Sequence, residues 1–159
     1  YKRQQLFNNA DLCVNLIGIL FEKGKNNFNN IHVEFPKMIS RYASTYKLEK
    51  FVHLSALGIE NAKDSIYAQS KLKGEEEILN NFNKAVIARP SIVYSVDDNF
   101  TTQLMTLLSL MPIFPIYYNG KTKFSPIHVS DLVNIIFNLI SRKEENLVLE
   151  LMNDEVCLA

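Results

Sequence analysis

Tyr67 and Lys71 stand four residues apart in a stretch of helical character, so their side chains lie on one helix face and can meet over a shared ligand. A tyrosine hydroxyl has an unperturbed pKa near 10 and needs a neighbouring cation before it can trade protons near neutrality; Lys71 is placed to be that cation. Ser55 closes an apolar run upstream of the pair, and its hydroxyl can hydrogen-bond a substrate oxygen. A serine, a tyrosine and a lysine so arranged suit proton transfer during hydride exchange with a nicotinamide. A Tyr with a Lys one turn later also arises by chance on ordinary helices, so the set acquires meaning only through the elements that position it.

Those elements alternate. Leu12–Ile17 is apolar on both faces apart from Asn15 and ends at Gly18; Phe51–Ser55 and Ala85–Arg89 follow, the latter stopped by Pro90, and Leu147–Leu151 is the fourth such run. Runs apolar on both faces are strands covered by helices on both sides, and parallel neighbours need crossovers of the length seen here. The spacing predicts helices over about 31–46, with Pro36 in its first turns, over 67–82, over 100–110, and one capped by Ser130 whose Leu132, Ile135, Ile136, Leu139 and Ile140 form a stripe of 3.6-residue period. Glu75, Glu76 and Glu77 read as a solvated face, and the Asn-rich 26–30 stretch as a loop. Ser55 then sits at the carboxyl edge of a parallel strand, where open α/β sheets hold their ligands. The fold class expected is α/β with a mainly parallel sheet, divided into 1–95 as the core of the sheet and 96–159 as a smaller substrate or docking region.

The 159 residues carry 17 basic and 17 acidic side chains, without a dense basic block, which argues against nucleic-acid binding. Cys13 and Cys157 lie almost the whole chain apart with no Cys/His spacing, so buried thiols are expected rather than a disulfide or zinc site. No apolar run approaches the roughly 18–20 residues of a membrane-spanning helix, and a cytoplasmic or equivalent reducing location is expected. His32, His53 and His128 are scattered and read as satisfied or surface residues. Leu104–Tyr118 crowds eleven apolar or aromatic residues around Pro112 and Pro115. One helical stripe can absorb Leu104, Leu107, Leu108 and Met111; the rest, Met105 and Phe114 among them, predict a docking surface, with plain core as the other reading of the segment.

Several strings occur in one order: Asp11–Gly18, Ile31–Pro36, Lys50–Leu57, Tyr67-Ala68-Gln69-Ser70-Lys71 with Gly74-Glu75, Ala88-Arg89-Pro90-Ser91, Asp97–Phe100, and Gly120–Lys123 through Pro126 to Asp131. Together they resemble the atypical branch of the short-chain dehydrogenase/reductase superfamily that includes the nucleotide-binding alpha-subcomplex subunit nine of respiratory complex I, NADH:ubiquinone oxidoreductase, and its bacterial homologues. Relatives of the epimerase/dehydratase type belong to the same superfamily. The resemblance implies a Rossmann-like doubly wound sheet and a bound NADP or NAD. Ser55, Tyr67 and Lys71 would face the nicotinamide, Asn15, Leu16 and Gly18 would line the cofactor, and Pro90, Ser91 and Ile92 would close over it. For Asn15 a second reading stands beside this one, a hydrogen bond to neighbouring backbone. Arg89 reads as a buried structural cation.

The family opens with a glycine-rich turn before its first helix, and none of the five glycines here forms GxGxxG or GxxGxxG. With an opening at Tyr1, this leads to the expectation that the N-terminal half of the dinucleotide fold and the family's C-terminal continuation are both absent, that what remains is the C-terminal portion of the Rossmann-like sheet, and that the chain is part of a longer protein or the product of a broken gene. The residue that chooses between NAD and NADP follows the second strand of such folds, so both cofactors stand. Three functions follow from the resemblance: a nucleotide-binding accessory or assembly subunit, an active reductase or sugar-nucleotide epimerase/dehydratase, and a non-binding remnant. The first would carry a respiratory-complex or membrane-surface partner on Leu104–Tyr118, peripheral to the inner membrane on the bacterial cytoplasmic or mitochondrial matrix side.

Overall fold

Strands apolar on both faces must be sandwiched, and the computed structural model of the chain shows the sandwich. It describes residues 4–96, 102, 106, 109, 125–142, 145–152 and the backbone of 155–158. Four strands, β1 (Leu12–Asn15), β2 (Lys50–Leu54), β3 (Ala85–Pro90) and β6 (Leu147–Met152), run parallel in that spatial order, and β7 (Glu155–Leu158) adds an antiparallel edge. Each apolar run of the sequence is thus a strand of one sheet, to within two residues at its ends. The two-residue strands β4 (Val93–Tyr94) and β5 (Ile127–His128) pair in a small parallel sheet of their own; they and β7 have no counterpart among the expected elements.

Alternation along β3 divides the core. Ala85 and Ile87 face α1 (Phe35–Thr45) and α2 (Ile66–Asn81), packing with Ile39, Ala43, Phe51, Ile78 and Phe82; Val86 and Ala88 face α3 (Val129–Ser141), packing with Leu132, Leu139, Leu149 and Leu151. Helices on both faces make the sheet doubly wound. Completely buried side chains such as Phe51 and Ile87 each contribute about 1.5–3 kcal/mol, and the sheet's centre is built of them.

Three local expectations are corrected. The first helix begins as a π-helical segment, Asn29–Glu34, which takes in the end of the Asn-rich stretch read as a loop, and α1 proper starts at Phe35 with Pro36 in its first turn. The cap of α3 is His128, whose ring accepts from the Ser130 N–H; Ser130 itself is already helical. Glu75 is not on a solvated face. It is 3% exposed, on the inward stripe with Lys71 and Ile78, because Arg89 of β3 requires a partner there. The helix expected over 100–110 is helical at Thr102, Thr106 and Ser109, and apart from the last two of these Leu104–Tyr118 lies outside the described residues. No helix among the described residues is long and apolar enough to cross a membrane.

Candidate functional site

The carboxyl ends of β1, β2 and β3 and the first turns of α2 bring the expected residues to one edge of the sheet. Asn15 ends β1 and is buried. Its amide is committed on both sides: Oδ1 accepts the Ile17 N–H at 3.1 Å, and Nδ2 donates to His53 Nδ1 at 2.9 Å. Asn15 therefore builds the turn after β1, which favours the second reading of this residue. Leu16, 60% exposed, and Gly18 follow on that turn.

Ser55 is the residue just beyond β2, its N–H donating to the Ala88 carbonyl at 2.7 Å. Its hydroxyl is buried without a hydrogen-bond partner, alone in this among the described residues. Native folds rarely leave such a group unpaired. The carbonyl of Leu54, the preceding residue, accepts from the Lys71 ammonium at 3.2 Å. Lys71 is 5% exposed; burial pulls its pKa down, against an opposing pull from the Glu75 carboxylate. Gly18 leans on this ammonium, for a Cβ placed there would lie 3.3 Å from Lys71 Nζ.

Tyr67 is half-buried in the first turn of α2, which Ser65 caps by accepting the Ala68 N–H. Its ring stands edge-on to His32 (5.3 Å, 87°) and to Phe28 (5.8 Å, 78°). Burial pushes the Tyr67 phenol up. The described site thus keeps the phenol protonated, and the lowering expected from Lys71 does not dominate. Pro90 ends β3, with Ser91 and Ile92 beyond it. Ser91 donates its N–H to the Leu151 carbonyl at 2.9 Å and its hydroxyl to the Ser125 carbonyl, and the Ile92 carbonyl accepts from Ile127 N–H at 2.9 Å. These three residues form the hinge between the large and small sheets.

A second polar cluster underlies the first. Arg89, 4% exposed, gives Nε to both Glu75 oxygens (3.1 and 3.2 Å) and a terminal nitrogen to Oε2 at 2.6 Å; another terminal nitrogen reaches Glu60, in the loop between Ser55 and α2. Hydrogen bonding to Glu75 raises the Arg89 pKa despite burial. Arg89 is the structural cation that the sequence suggested, and it also pins the loop bearing Ser55. Glu60 went unnoticed in the sequence because nothing in its spacing marks it.

His32 and His53 are both satisfied and buried. Burial first, then the Lys71 charge, holds His32 at about 4 and His53 at about 3, against 6.5 for a free imidazole. The unfolded chain therefore takes up protons first. The stability these rings contribute is complete above pH 6.5 and is lost as pH falls from there towards the folded values. Two such groups are expected to cost the fold about 2 kcal/mol between pH 7.5 and 5.5. Urea midpoints at the two pH values measure it, and equal midpoints would contradict neutral burial of both rings.

The sequence profile of the RmlD substrate binding domain matches residues 60–157. A similar curated protein is the mouse mitochondrial NADH dehydrogenase [ubiquinone] 1 alpha subcomplex subunit 9, 27% identical over 129 residues, 81% of this chain and 34% of the relative. The chain thus spans about a third of the length of such relatives. Among solved structures, UDP-glucuronic acid 4-epimerase from Bacillus cereus, in complex with UDP-glucuronic acid and NAD, superimposes with a TM-score of 0.72 at 19% identity, over 99% of this chain and 59% of the other. The dTDP-4-dehydrorhamnose reductase from Bacillus anthracis, in complex with NADP, gives 0.70 at 17% identity, over 98% and 61%. These likenesses show the fold, a portion of the Rossmann-like sheet of epimerases and reductases.

Proposed function

The chain belongs to the RmlD substrate binding domain family, and from that premise we propose that it forms the nicotinamide side of an NAD(P)(H)-binding protein of the atypical short-chain dehydrogenase type, resembling the accessory subunit of respiratory complex I. The observation that carries this reading is the Ser55 hydroxyl, buried and unpartnered at the carboxyl edge of the sheet, one residue beyond the Leu54 carbonyl that holds the Lys71 ammonium. A ligand oxygen there would pair the hydroxyl and gain a cation. Ser55, Tyr67 and Lys71 face the nicotinamide in this reading. Leu16 and Gly18 line it on a turn built by Asn15, and Pro90, Ser91 and Ile92 close over it. When bound, the nucleotide supplies a hydride donor or acceptor. Lys71, fixed on the Leu54 carbonyl, suits holding the nucleotide.

On this reading residues 1–95 carry the cofactor side, and residues 96–159 the substrate or docking region, with β6 returning to the sheet. Leu104–Tyr118 would meet a respiratory-complex or membrane-surface partner, peripheral to the inner membrane. A second reading, an active NAD(P)-dependent reductase or sugar-nucleotide epimerase, draws on the same Ser55 hydroxyl and the intact Tyr67/Lys71 spacing.

Calorimetry with NADH and NADPH tests the proposal. Without a glycine-rich turn these 159 residues alone are expected to bind more weakly than about millimolar, since the helix terminus at that turn supplies much of the polar contact. In a longer polypeptide, where they follow a glycine-rich half, binding is expected in the micromolar range. There Lys71→Ala should weaken it about tenfold, and Tyr67→Phe should leave it within about twofold. Micromolar binding by the 159 residues, or none by the longer polypeptide, would overturn the reading. Turnover abolished by Tyr67→Phe would establish the second one.

A further inference from the structure

His32 is outside the residue set just assigned, yet it touches Tyr67 and the turn that bears Gly18. It sits in the π-helical segment Asn29–Glu34 and is 2% exposed. Nε2 accepts the Ile19 N–H at 3.1 Å, on the turn after β1. A ring nitrogen that accepts a backbone N–H carries no proton, so a neutral imidazole holds its proton on Nδ1. That nitrogen lies 2.9 Å from Ser70 Oγ, which therefore accepts, and the Ser70 hydroxyl in turn donates to the Tyr67 carbonyl at 2.7 Å. Both ring nitrogens are committed, one to the turn after β1 and one to α2.

The ring faces are equally occupied. Phe28 stacks on His32 at 5.3 Å and 19°, while Tyr67 abuts it edge-on. A Cβ on Gly18 would lie 3.8 Å from Nε2 and 3.3 Å from Lys71 Nζ, so the turn is gripped between imidazole and ammonium. The reach from His32 to Ser70 has little slack, because α2 meets the backbone of the π-helical segment directly at Gly74.

We propose that His32 is a positioning residue of this site: held as the Nδ1–H tautomer between Ile19 and Ser70, it fixes the Gly18–Ile19 turn against α2 and sets the orientation of the Tyr67 ring beside Lys71. The geometry stands on its own, while the significance of the site rests on the function proposed above. Burial and the Lys71 charge keep the ring neutral, as the acceptor role of Nε2 requires.

Imidazole-nitrogen NMR and amide exchange on the 159-residue chain test it. The expected result at pH 7 is a His32 ring protonated at Nδ1 and bare at Nε2. His32→Ala is expected to speed exchange of the Ile19 amide by about tenfold or more and to move the Tyr67 ring resonances, whereas His32→Gln, whose side-chain carbonyl can take over as acceptor, preserves most of the Ile19 protection. A proton found on Nε2 overturns the proposal. So does a His32→Ala chain whose Ile19 exchange and Tyr67 signals match the parent. If His32→Ala does not fold, the tautomer of the parent and the Gln variant decide. None of these measurements uses nucleotide, so the positioning role can fail while nucleotide binding stands, and the reverse.

Discussion

Gly74→Ala is expected to destabilise the chain by about 3 kcal/mol or more, or to prevent folding. In an unencumbered helix interior the same change stabilises by about 1 kcal/mol, since alanine is the better helix former. Here the new methyl would lie 1.8 Å from the His32 carbonyl oxygen and 3.0 Å from its carbonyl carbon, and both are backbone atoms that cannot rotate away. Relief requires α2 to part from the Asn29–Glu34 segment. That would loosen the packing of buried His32 and Val33 and pull Ser70 from the imidazole. The sign of the effect is therefore diagnostic. A urea midpoint equal to the parent's or higher would show that the two backbones do not touch.

Arg89→Met is the other large loss, expected at about 3–5 kcal/mol, because it strands the Glu75 carboxylate, 3% exposed, without its bidentate partner. The accompanying release of Glu60 matters less, since Glu60 is half-exposed and can be solvated. Pairing Arg89→Met with Glu75→Leu removes both charges together and is expected to recover most of the stability. Denaturant unfolding of the two single variants and the double variant measures the coupling. A double variant no more stable than Arg89→Met would show that the ion pair is not what the single change destroys.

Much of this architecture was legible in the residues. Strands sandwiched between helices are apolar at most positions on both faces, so the runs at β1, β2, β3 and β6 stand out, and α3 advertises its buried Leu132 and Leu139 by period alone. The shorter pieces were not legible. Strands of two residues such as β4 and β5 have no period, and they exist because the Ile92 carbonyl and the Ile127 N–H find each other across a long connection. Glu75 hid inside a run of three glutamates whose average is hydrophilic, although the stripe Lys71, Glu75, Ile78 already placed it inward. The candidate site was found as a set of types at one sheet edge. Burial decided the protonation of Tyr67, and spacing carries no measure of burial. His32 escaped because its partners, Ile19 and Ser70, are distant in the chain and unremarkable in type.

The parallel pairing of β1, β2, β3 and β6 also has a kinetic meaning. Leu12 pairs with Lys50, Phe51 with Ala85, and Val86 with Leu147, so no neighbour in this part of the sheet can be reached through a hairpin. Each contact must close a loop of tens of residues and lay a crossover helix in place before any ladder bond rewards it. The pair β2–β3, bridged by the single helix α2, closes the shortest of these loops, and β6 must wait for the longest. The chain is thus expected to be built from its middle outward, with β2, α2 and β3, the elements around Ser55, Tyr67 and Lys71, coming together first.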